Sequence, residues 1–258
     1  WITREVWSMR MGSITTDIVS DGLVLNTDAA NRASTTPSTS TTKVYNTVDT
    51  SIEGTFQDNA QFTTSGSIKT WQFDGVDEWI DFGDVLDLGT NSMTAGAWIN
   101  AQDSGANQWI WTKARAAGQD YRFGGTIYRV DANGYNIRCF MQGDGGSDVV
   151  PRTSDSYNFN EWRYITWVWD RDGSISIYNN GIQDTNLNGS YSATISQWTG
   201  LDFQSTNPLR IASYTAGNNT GVFQPVKGYI STVHVYHRVL SSAEILHNYN
   251  ALKSRFGL

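Results

Sequence analysis

The stretch that decides the fold is WQFDGVDEWIDFGD, which occupies Trp71–Asp84. Apolar side chains alternate with polar ones before the Asp74-Gly75 pair and alternate again after it. The alternating apolar positions are Trp71, Phe73, Ile80 and Phe82. This period of two on both sides of an Asp-Gly turn signal predicts two short strands joined as a hairpin.

Short strand patterns and turn dipeptides continue toward the carboxyl end. Met93–Ile99 alternates between two faces, and Trp109–Trp111 is a further short apolar run. Three turn signals follow. Asn133-Gly134, a type I′ signal, lies between the predicted strands Tyr121–Asp131 and Tyr135–Met141. Asp172-Gly173 lies between Trp162–Asp170 and Ser174–Tyr178, and Asn180-Gly181 precedes another strand. This spacing predicts an all-β fold, an antiparallel two-sheet sandwich or jelly roll.

The two ends of the chain depart from this pattern. Ser241 and Glu244 have the spacing of a capping box, which predicts a short C-terminal helix over about residues 242–253. Residues 1–20 have no clear period and are interpreted as an N-terminal arm. The remainder, residues 21–258, is interpreted as one domain.

A long polar tract, Asn26–Ser67, precedes the deciding stretch. Its composition fits an interdomain linker, a glycosylated stalk or a long surface excursion of a single domain. Apolar residues such as Val44, Phe56 and Phe62 recur through it like anchors on a sheet. We therefore prefer the surface excursion.

Composition narrows the classes of function. The chain has 258 residues, a formal net charge of -7 and 17% charged residues. Because nucleic acids and anionic membranes bind clustered cations, neither is predicted as a partner. The single cysteine, Cys139, excludes an intrachain disulfide and is expected to be a small core residue.

No catalytic residues are predicted. Hydrolysis of a glycosidic bond needs two carboxyl groups that converge on one sugar. Glu78 shares its predicted strand face with the apolar Ile80, and Trp79 separates the aligned acids Asp77 and Asp81. The chain has no nucleophile-elbow Gly-x-Ser-x-Gly and no phosphate-binding loop.

The three histidines, His234, His237 and His247, do not have a spacing that suggests zinc. His234 alternates with Val233 and Val235, so it is expected to point away from the core. All three are interpreted as surface residues.

Five segments, taken together and in order, resemble the concanavalin-A-like jelly rolls of the laminin-G-like and pentraxin-like type. They are FDGVDEWID at 73–81, MTAGAWI at 93–99, IWTK at 110–113, WRYIT at 162–166 with IYNNG at 177–181, and GYIS at 228–231 with VYHRVLS at 235–241. The resemblance covers roughly residues 70 to 250. It implies a jelly-roll fold closed by the C-terminal helix.

A narrower resemblance concerns the ends, DGLVLNTDAAN at 21–31 and NYNALKSRFGL at 248–258. These segments are similar to such domains in structural proteins of tailed bacteriophages, particularly marine ones. The chain departs from that group between Lys43 and Asp49, where a Trp-Asp motif is expected. The resemblance implies a virion-surface protein of the capsid or tail, with other virion proteins and copies of itself as partners. The residues expected to contact those partners are Trp1, Trp7, Tyr249 and Phe256.

Calcium is a possible ligand, because laminin-G-like domains often bind it through carboxylates and carbonyls. No cofactor is required by the sequence. Asp74 and Asp77 flank the turn where the resemblance places a metal ligand, but Ser231 stands where many relatives have an aspartate. The alternative is that Asp74 only stabilises its turn through side-chain hydrogen bonds.

Aromatic residues and polar loops suggest a ligand site for a cell-surface glycan. Trp167 and Trp169 share a face with Ile165 and are expected in the core, whereas Trp198 lies in a loop and is expected to be exposed. The candidate ligand-binding residues are Trp198, Asp144, Asp148, Asn218 and Asn219. The alternative is that these loops are ordinary connections.

The sequence therefore predicts a non-enzymatic structural or decoration protein at a bacteriophage virion surface, with glycan adhesion as an additional role. The alternative is a secreted, extracellular carbohydrate-binding module, and a third hypothesis is a glycoside hydrolase that uses Asp77 and Asp81.

Overall fold

The computed structural model describes residues 18–35, 42–113, 122–143, 148–188, 193–214 and 221–258. In these ranges the chain forms seventeen β-strands, one α-helix and two short 3₁₀ helices. The strands make two antiparallel sheets that pack as a jelly-roll sandwich, so the predicted fold class is confirmed. No helix in the described ranges is long and apolar enough to cross a membrane.

Sheet I has eight strands and is built around its longest one. Its strands are β1 (Leu23–Asp28), β4 (Gln61–Ser65), β5 (Ile68–Asp74), β7 (Met93–Ala101), β13 (Trp162–Trp169), β14 (Ile175–Asn179), β15 (Ile182–Gln183) and β17 (Lys227–Tyr236). Their order is β15-β14-β13-β7-β17-β5-β4, and β1 also pairs with β17. β17 shifts register against β7 between Ile230 and Thr232, pairing with β5 before the shift and with β1 after it.

Sheet II has nine strands and forms the other layer. Its strands are β2 (Lys43–Tyr45), β3 (Glu53–Gln57), β6 (Trp79–Asp81), β8 (Gln108–Lys113), β9 (Arg122–Arg129), β10 (Gly134–Gln142), β11 (Asp148–Val149), β12 (Tyr157–Asn158) and β16 (Leu209–Ile211). Their order is β11-β10-β9-β8-β16-β6-β3-β2, and β12 pairs with β10.

The deciding stretch is two strands, as predicted, but it is not a hairpin. β5 lies in sheet I and pairs with β4 and β17, whereas β6 lies in sheet II and pairs with β3 and β16. The Asp74-Gly75 turn therefore carries the chain from one layer to the other. The apolar residues still point inward, because both strands present a face to the same core.

Two predicted hairpins are confirmed, with one difference in turn type. β9 pairs with β10, and β13 pairs with β14. Arg129 is opposite Tyr135, so a longer loop replaces the type I′ turn predicted at Asn133-Gly134. A left-handed pair occurs instead at Asn180 (φ 51) and Gly181 (φ 81), where the chain turns into β15.

The polar tract is not only a surface excursion. It contributes β2 and β3 to sheet II and β4 to sheet I, and Val44 and Phe56 are buried in the core. The anchor residues were identified correctly, but the backbone between them also completes both sheets.

Aromatic side chains fill the space between the sheets. Trp167, Trp169 and Cys139 are fully buried there, as predicted. Trp111 and Trp169 meet edge to face, with ring centroids 5.4 Å apart. Such a core leaves no room for a side chain at Gly125, where an added Cβ would lie 2.6 Å from the Trp167 ring.

The predicted C-terminal helix is confirmed as α1 (Ser242–Leu252), which begins with the Ser241–Glu244 capping box. A 3₁₀ helix, Lys253–Phe256, follows it. Phe256 stacks on Trp98 of β7 with centroids 3.9 Å apart and an interplanar angle of 7°. The C-terminal segment therefore covers part of the outer face of sheet I.

This covering overturns the prediction of a surface His234. The residue does point away from the inter-sheet core, but it is fully buried. Its Nδ1 lies 3.0 Å from Oδ1 of Asn26. Burial, with a smaller contribution from the charge of Arg255, lowers the pKa of His234 to about 3.

Candidate functional site

Five of the predicted site residues lie outside the described residues. They are Asp144, Asn218 and Asn219 among the ligand candidates, and Trp1 and Trp7 in the N-terminal arm. The remaining predicted residues can each be placed in the fold.

Trp198 is not the exposed aromatic that the sequence predicted. Only 5% of the residue is exposed, because its ring packs into the main core and meets Phe203 edge to face. Its backbone oxygen accepts a hydrogen bond from the guanidinium of Arg171. The prediction of exposure was wrong, since the loop folds back over the end of the sandwich.

The aromatic residues of the C-terminal segment pack within the chain. Phe256 is 6% exposed, and Tyr249 is partly buried and stacks on Trp98 with centroids 5.7 Å apart. The Phe256 ring is therefore engaged by the chain's own sheet.

The predicted calcium residues lie at the crossover between the sheets, and both are exposed. Oδ1 of Asp74 accepts a hydrogen bond of 2.7 Å from the backbone of Val76, so Asp74 does stabilise its turn. Ser231 is buried and donates to the backbone oxygen of Lys69. In the described ranges, no group of three or more His, Cys, Asp or Glu side chains could hold a metal ion.

Two acids of the deciding stretch, Glu78 and Asp81, have different partners. Glu78 is buried and accepts a hydrogen bond of 2.6 Å from the backbone of Asp74. Burial raises the pKa of Glu78, and the charges of Asp74 and Asp77 add to this effect. Asp81 lies on the outer face of sheet II, 3.4 Å from the guanidinium Nε of Arg210. Glu78 and Asp81 are thus held in separate places.

A polar cleft lies at the open side of the sandwich and was not predicted. It has a volume of about 510 Å³, within the range of small-molecule sites. Its lining residues are Asp155, Tyr157, Asn179, Asn180, Ile182, Gln183, Asp184, Thr185 and Asn186. Besides Tyr157, seven of these residues have carboxylate, amide or hydroxyl side chains. The lining is therefore rich in hydrogen-bonding groups.

Local backbone structure builds the cleft. The left-handed Asn180-Gly181 turn reverses the chain at the edge of sheet I. Residues 184–188 then cross to sheet II, where Asn186 accepts from the backbone of Ser154 and Asn188 donates to Arg152. The cleft is therefore bounded by residues that pair with both sheets.

Four side chains form a hydrogen-bonded floor. The Tyr157 hydroxyl donates to Oδ2 of Asp184 at 2.8 Å, and the backbone of Asn186 donates to Oδ1 at 2.9 Å. The Asn186 amide lies 3.4 Å from Oδ1 of Asp155. Burial and the bond to Asp184 raise the pKa of Tyr157, so the hydroxyl remains a donor.

One acceptor of a cleft-lining residue has no hydrogen-bond partner. Oδ1 of Asn179 is buried and makes no hydrogen bond to any described residue. An unsatisfied buried polar atom costs about 1–3 kcal/mol, which a ligand hydroxyl would recover once the side chain rotates toward the cleft. Ile182 also lines the cleft. It is 71% exposed and offers an apolar contact at the rim. The cleft thus combines an apolar edge with acceptors for hydroxyl groups.

The sequence carried only a weak signal for this site. Asn180-Gly181 was recognised as a turn, and the run QDTN at 183–186 follows it. Nothing in the sequence places Asp155 and Tyr157 beside that run, because the two segments belong to different sheets.

The fold and the sequence place the chain in a family. A family model described as the Concanavalin A-like lectin/glucanases superfamily, of the laminin-G type, matches residues 74–246, and the chain belongs to this family. None of the curated proteins compared with the chain matches it.

Solved structures share the fold at low identity. The binding domain of Paraclostridial Mosquitocidal Protein 1 has 17% identity and a TM-score of 0.63, covering 89% of this chain and 52% of that chain. This chain therefore spans about half the length of that structure. Domain 4 of AbnA, an extracellular arabinanase from Geobacillus stearothermophilus, in complex with arabinotriose, has 14% identity and a TM-score of 0.58, covering 88% and 98%.

A pentraxin is also similar. The heptameric SAP-like pentraxin from Limulus polyphemus has 14% identity and a TM-score of 0.54, covering 71% of this chain and 82% of that chain. At these identities the likeness concerns the fold.

Proposed function

We propose that this chain is a non-enzymatic glycan-binding domain and that the cleft at the open side of the sandwich holds the sugar. The unpartnered, buried Oδ1 of Asn179 is the observation that carries the proposal. A sugar hydroxyl is the matching donor, while Asp155, Asp184 and Asn186 supply further acceptors and donors around it. The arabinotriose complex of a structurally similar domain supports the ligand class.

The two carboxyl groups of the cleft fit binding better than hydrolysis. A general acid must be held protonated, usually by burial. Asp184 instead accepts two hydrogen bonds, from Tyr157 and Asn186. Asp155 is exposed. Neither carboxyl group is buried in an apolar pocket of the kind that holds a general acid protonated.

The test compares Asn179→Leu with the unchanged protein on an array of neutral and acidic oligosaccharides that includes arabinotriose. The variant removes the unpartnered acceptor at similar volume, so stability is retained while binding is lost. Asn59→Leu, in the exposed turn between β3 and β4, is the matched control and leaves binding unchanged. Equal binding by all three proteins contradicts the proposal, and so does sugar turnover by the unchanged protein.

The placement of this domain at a bacteriophage virion surface is a further part of the proposal, with a secreted extracellular module as the alternative. The resemblance of residues 21–31 and 248–258 to phage proteins is what supports it. The two segments are in contact in the fold, where Arg255 of the second lies 2.9 Å from Asp28 of the first. Contacts with capsid or tail proteins and with copies of itself follow from this placement. Mass spectrometry of purified particles tests it, and absence of the chain from particles contradicts it.

A further inference from the structure

The charge of the cleft at the open side of the sandwich is of one sign. Among the described residues that line it, Asp155 and Asp184 are acidic and none is a lysine, an arginine or a histidine. Neither aspartate forms an ion pair with any described residue. Arg163, whose guanidinium lies 4.8 Å from the Tyr157 ring centroid, is paired with Glu161. A ligand in the cleft therefore meets two carboxyl groups that have no described cation as a partner.

The two aspartates are brought together from different sheets. Asp155 precedes β12, which pairs in sheet II, and Asp184 follows β15 of sheet I. Asn186 links them, because its backbone N–H donates to Oδ1 of Asp184 at 2.9 Å and its amide lies 3.4 Å from Oδ1 of Asp155. Both carboxyl groups are thus within the reach of one residue, and one small cationic group can contact both.

Both aspartates can accept further hydrogen bonds. An ionised carboxylate has about four lone-pair sites. Among the described residues, Asp184 accepts from the Tyr157 hydroxyl and the Asn186 backbone, and Asp155 accepts from the Asn186 amide. Two donors of the lining are therefore already engaged, while the acceptors keep spare capacity. This balance favours a ligand that donates, and an ammonium group offers three donors together with a positive charge.

We infer that the cleft binds amino-sugar glycans, with a free, protonated amine of the sugar between Asp155 and Asp184. The inference rests on the proposed glycan-binding function and specifies its ligand. The ring hydroxyls then face the amide and hydroxyl side chains of the lining, and the apolar face of the sugar ring contacts Ile182 at the rim. A sugar without the amine binds by the hydrogen bonds and the apolar contact alone.

Acidic glycans are disfavoured by the same arrangement. A carboxylate or sulfate on the sugar approaches Asp155 and Asp184 with no cation among the described lining residues to receive it. Juxtaposed like charges oppose binding, and the net charge of -7 on the chain adds repulsion at longer range. The expected order of affinity is therefore amino sugar, neutral sugar, acidic sugar.

The test compares trimers of glucosamine, glucose (cellotriose) and galacturonic acid by titration calorimetry. The first two share their linkage and differ only in an amine or a hydroxyl at one ring position. At about pH 6, where the sugar amine is protonated, and with a chelator present, the glucosamine trimer is expected to bind roughly threefold to tenfold more tightly than cellotriose. The galacturonic acid trimer is expected to bind most weakly. Added salt is expected to reduce these differences, because it screens exposed charges.

Two variants assign the preference to the aspartates. Asp184→Asn keeps an oxygen that can accept from the Tyr157 hydroxyl, and Asp155→Asn changes an exposed side chain. Each is expected to bring the affinity ratio of glucosamine trimer to cellotriose toward one, and a ratio is insensitive to a loss of binding common to both sugars. Asp172→Asn is the matched control, because it removes the same charge from an exposed turn before the far end of β14. It is expected to keep the ratio.

Three results overturn the inference while leaving the glycan-binding function in place. They are binding of cellotriose at least as tight as that of the glucosamine trimer, an unchanged ratio in both cleft variants, and an equal fall of the ratio in Asp172→Asn. Spermidine is the control for charge without a sugar, and binding as tight as that of the glucosamine trimer also contradicts the inference. Absence of binding by every trimer contradicts both the inference and the proposed function, so the two failures are distinguishable.

Discussion

Replacement of Arg255 by alanine is expected to destabilise the protein strongly, because it leaves a buried charge without its counter-ion. Asp28 is fully buried, and both of its oxygens lie within 3.0 Å of Nη1 of Arg255. Breaking a fully buried ion pair from one side costs about 3–5 kcal/mol. The Arg255 side chain is 21% exposed, and Asp28 keeps a hydrogen bond from Ala30, so we expect a smaller loss of about 2–3 kcal/mol.

The assay is urea unfolding of the unchanged protein, Arg255→Ala, Asp28→Asn and the double variant. Because Asp28→Asn removes the stranded charge, the double variant is expected to lose less stability than the sum of the single losses. For a chain of this size, the expected fall in Tm for Arg255→Ala is roughly 4–12 °C. The same variant is expected to raise the pKa of His234 above its value of about 3, which NMR titration measures.

An exposed ion pair provides the matched control. Arg129 contacts Asp103 at 2.6 Å, with both side chains about a quarter exposed. Arg129→Ala is therefore expected to cost less than about 1 kcal/mol. The reasoning about the buried charge is refuted if Arg255→Ala costs no more stability than this control. It is also refuted if the loss in the double variant equals the sum of the losses in Arg255→Ala and Asp28→Asn.

Three further predictions concern pH, packing and calcium. As pH falls from about 6.5 toward 3, the unfolded chain protonates His234 and the folded chain does not, so stability is expected to fall by up to about 1.4 kcal/mol per pH unit. His234→Gln is expected to remove this pH dependence. The unfolding free energy of both proteins is measured by urea unfolding from pH 5 to 6.5, and an equal change with pH in the two proteins contradicts the prediction. Gly125→Ala is expected to cost about 1–3 kcal/mol by overpacking against Trp167, whereas Gly66→Ser, in an exposed turn where an added Cβ meets no described atom within 4 Å, is a surface control; equal losses in thermal midpoint argue against a rigid core at Gly125. Calcium at Asp74 and Asp77 stays a prediction: bound calcium raises Tm and Asp77→Asn abolishes the rise, while an unchanged Tm in calcium refutes it.

The sequence predicted local structure well and the site poorly. Turn dipeptides, alternation and the capping box depend on residues close in the chain, so the strand patterns and α1 were recoverable. Which sheet a strand joins is a long-range property, and the pairing of β5 and β6 was therefore predicted wrongly. Trp198 illustrates the same limit, because a loop position predicts exposure only if nothing packs over it.

The sequence by itself determined the all-β class, the family resemblance, the core positions of Trp167 and Trp169, and the helix at the carboxyl end. These follow from periodicity, which is set by backbone geometry within each strand or helix. Tertiary structure alone decided that His234 is buried under the C-terminal segment. It also decided that Glu78 and Asp81 of the deciding stretch have different partners, while Tyr157 and Asp184, remote in the chain, share a cleft. The physical reason is that burial and contact depend on which elements pack together, and packing joins residues that the sequence separates.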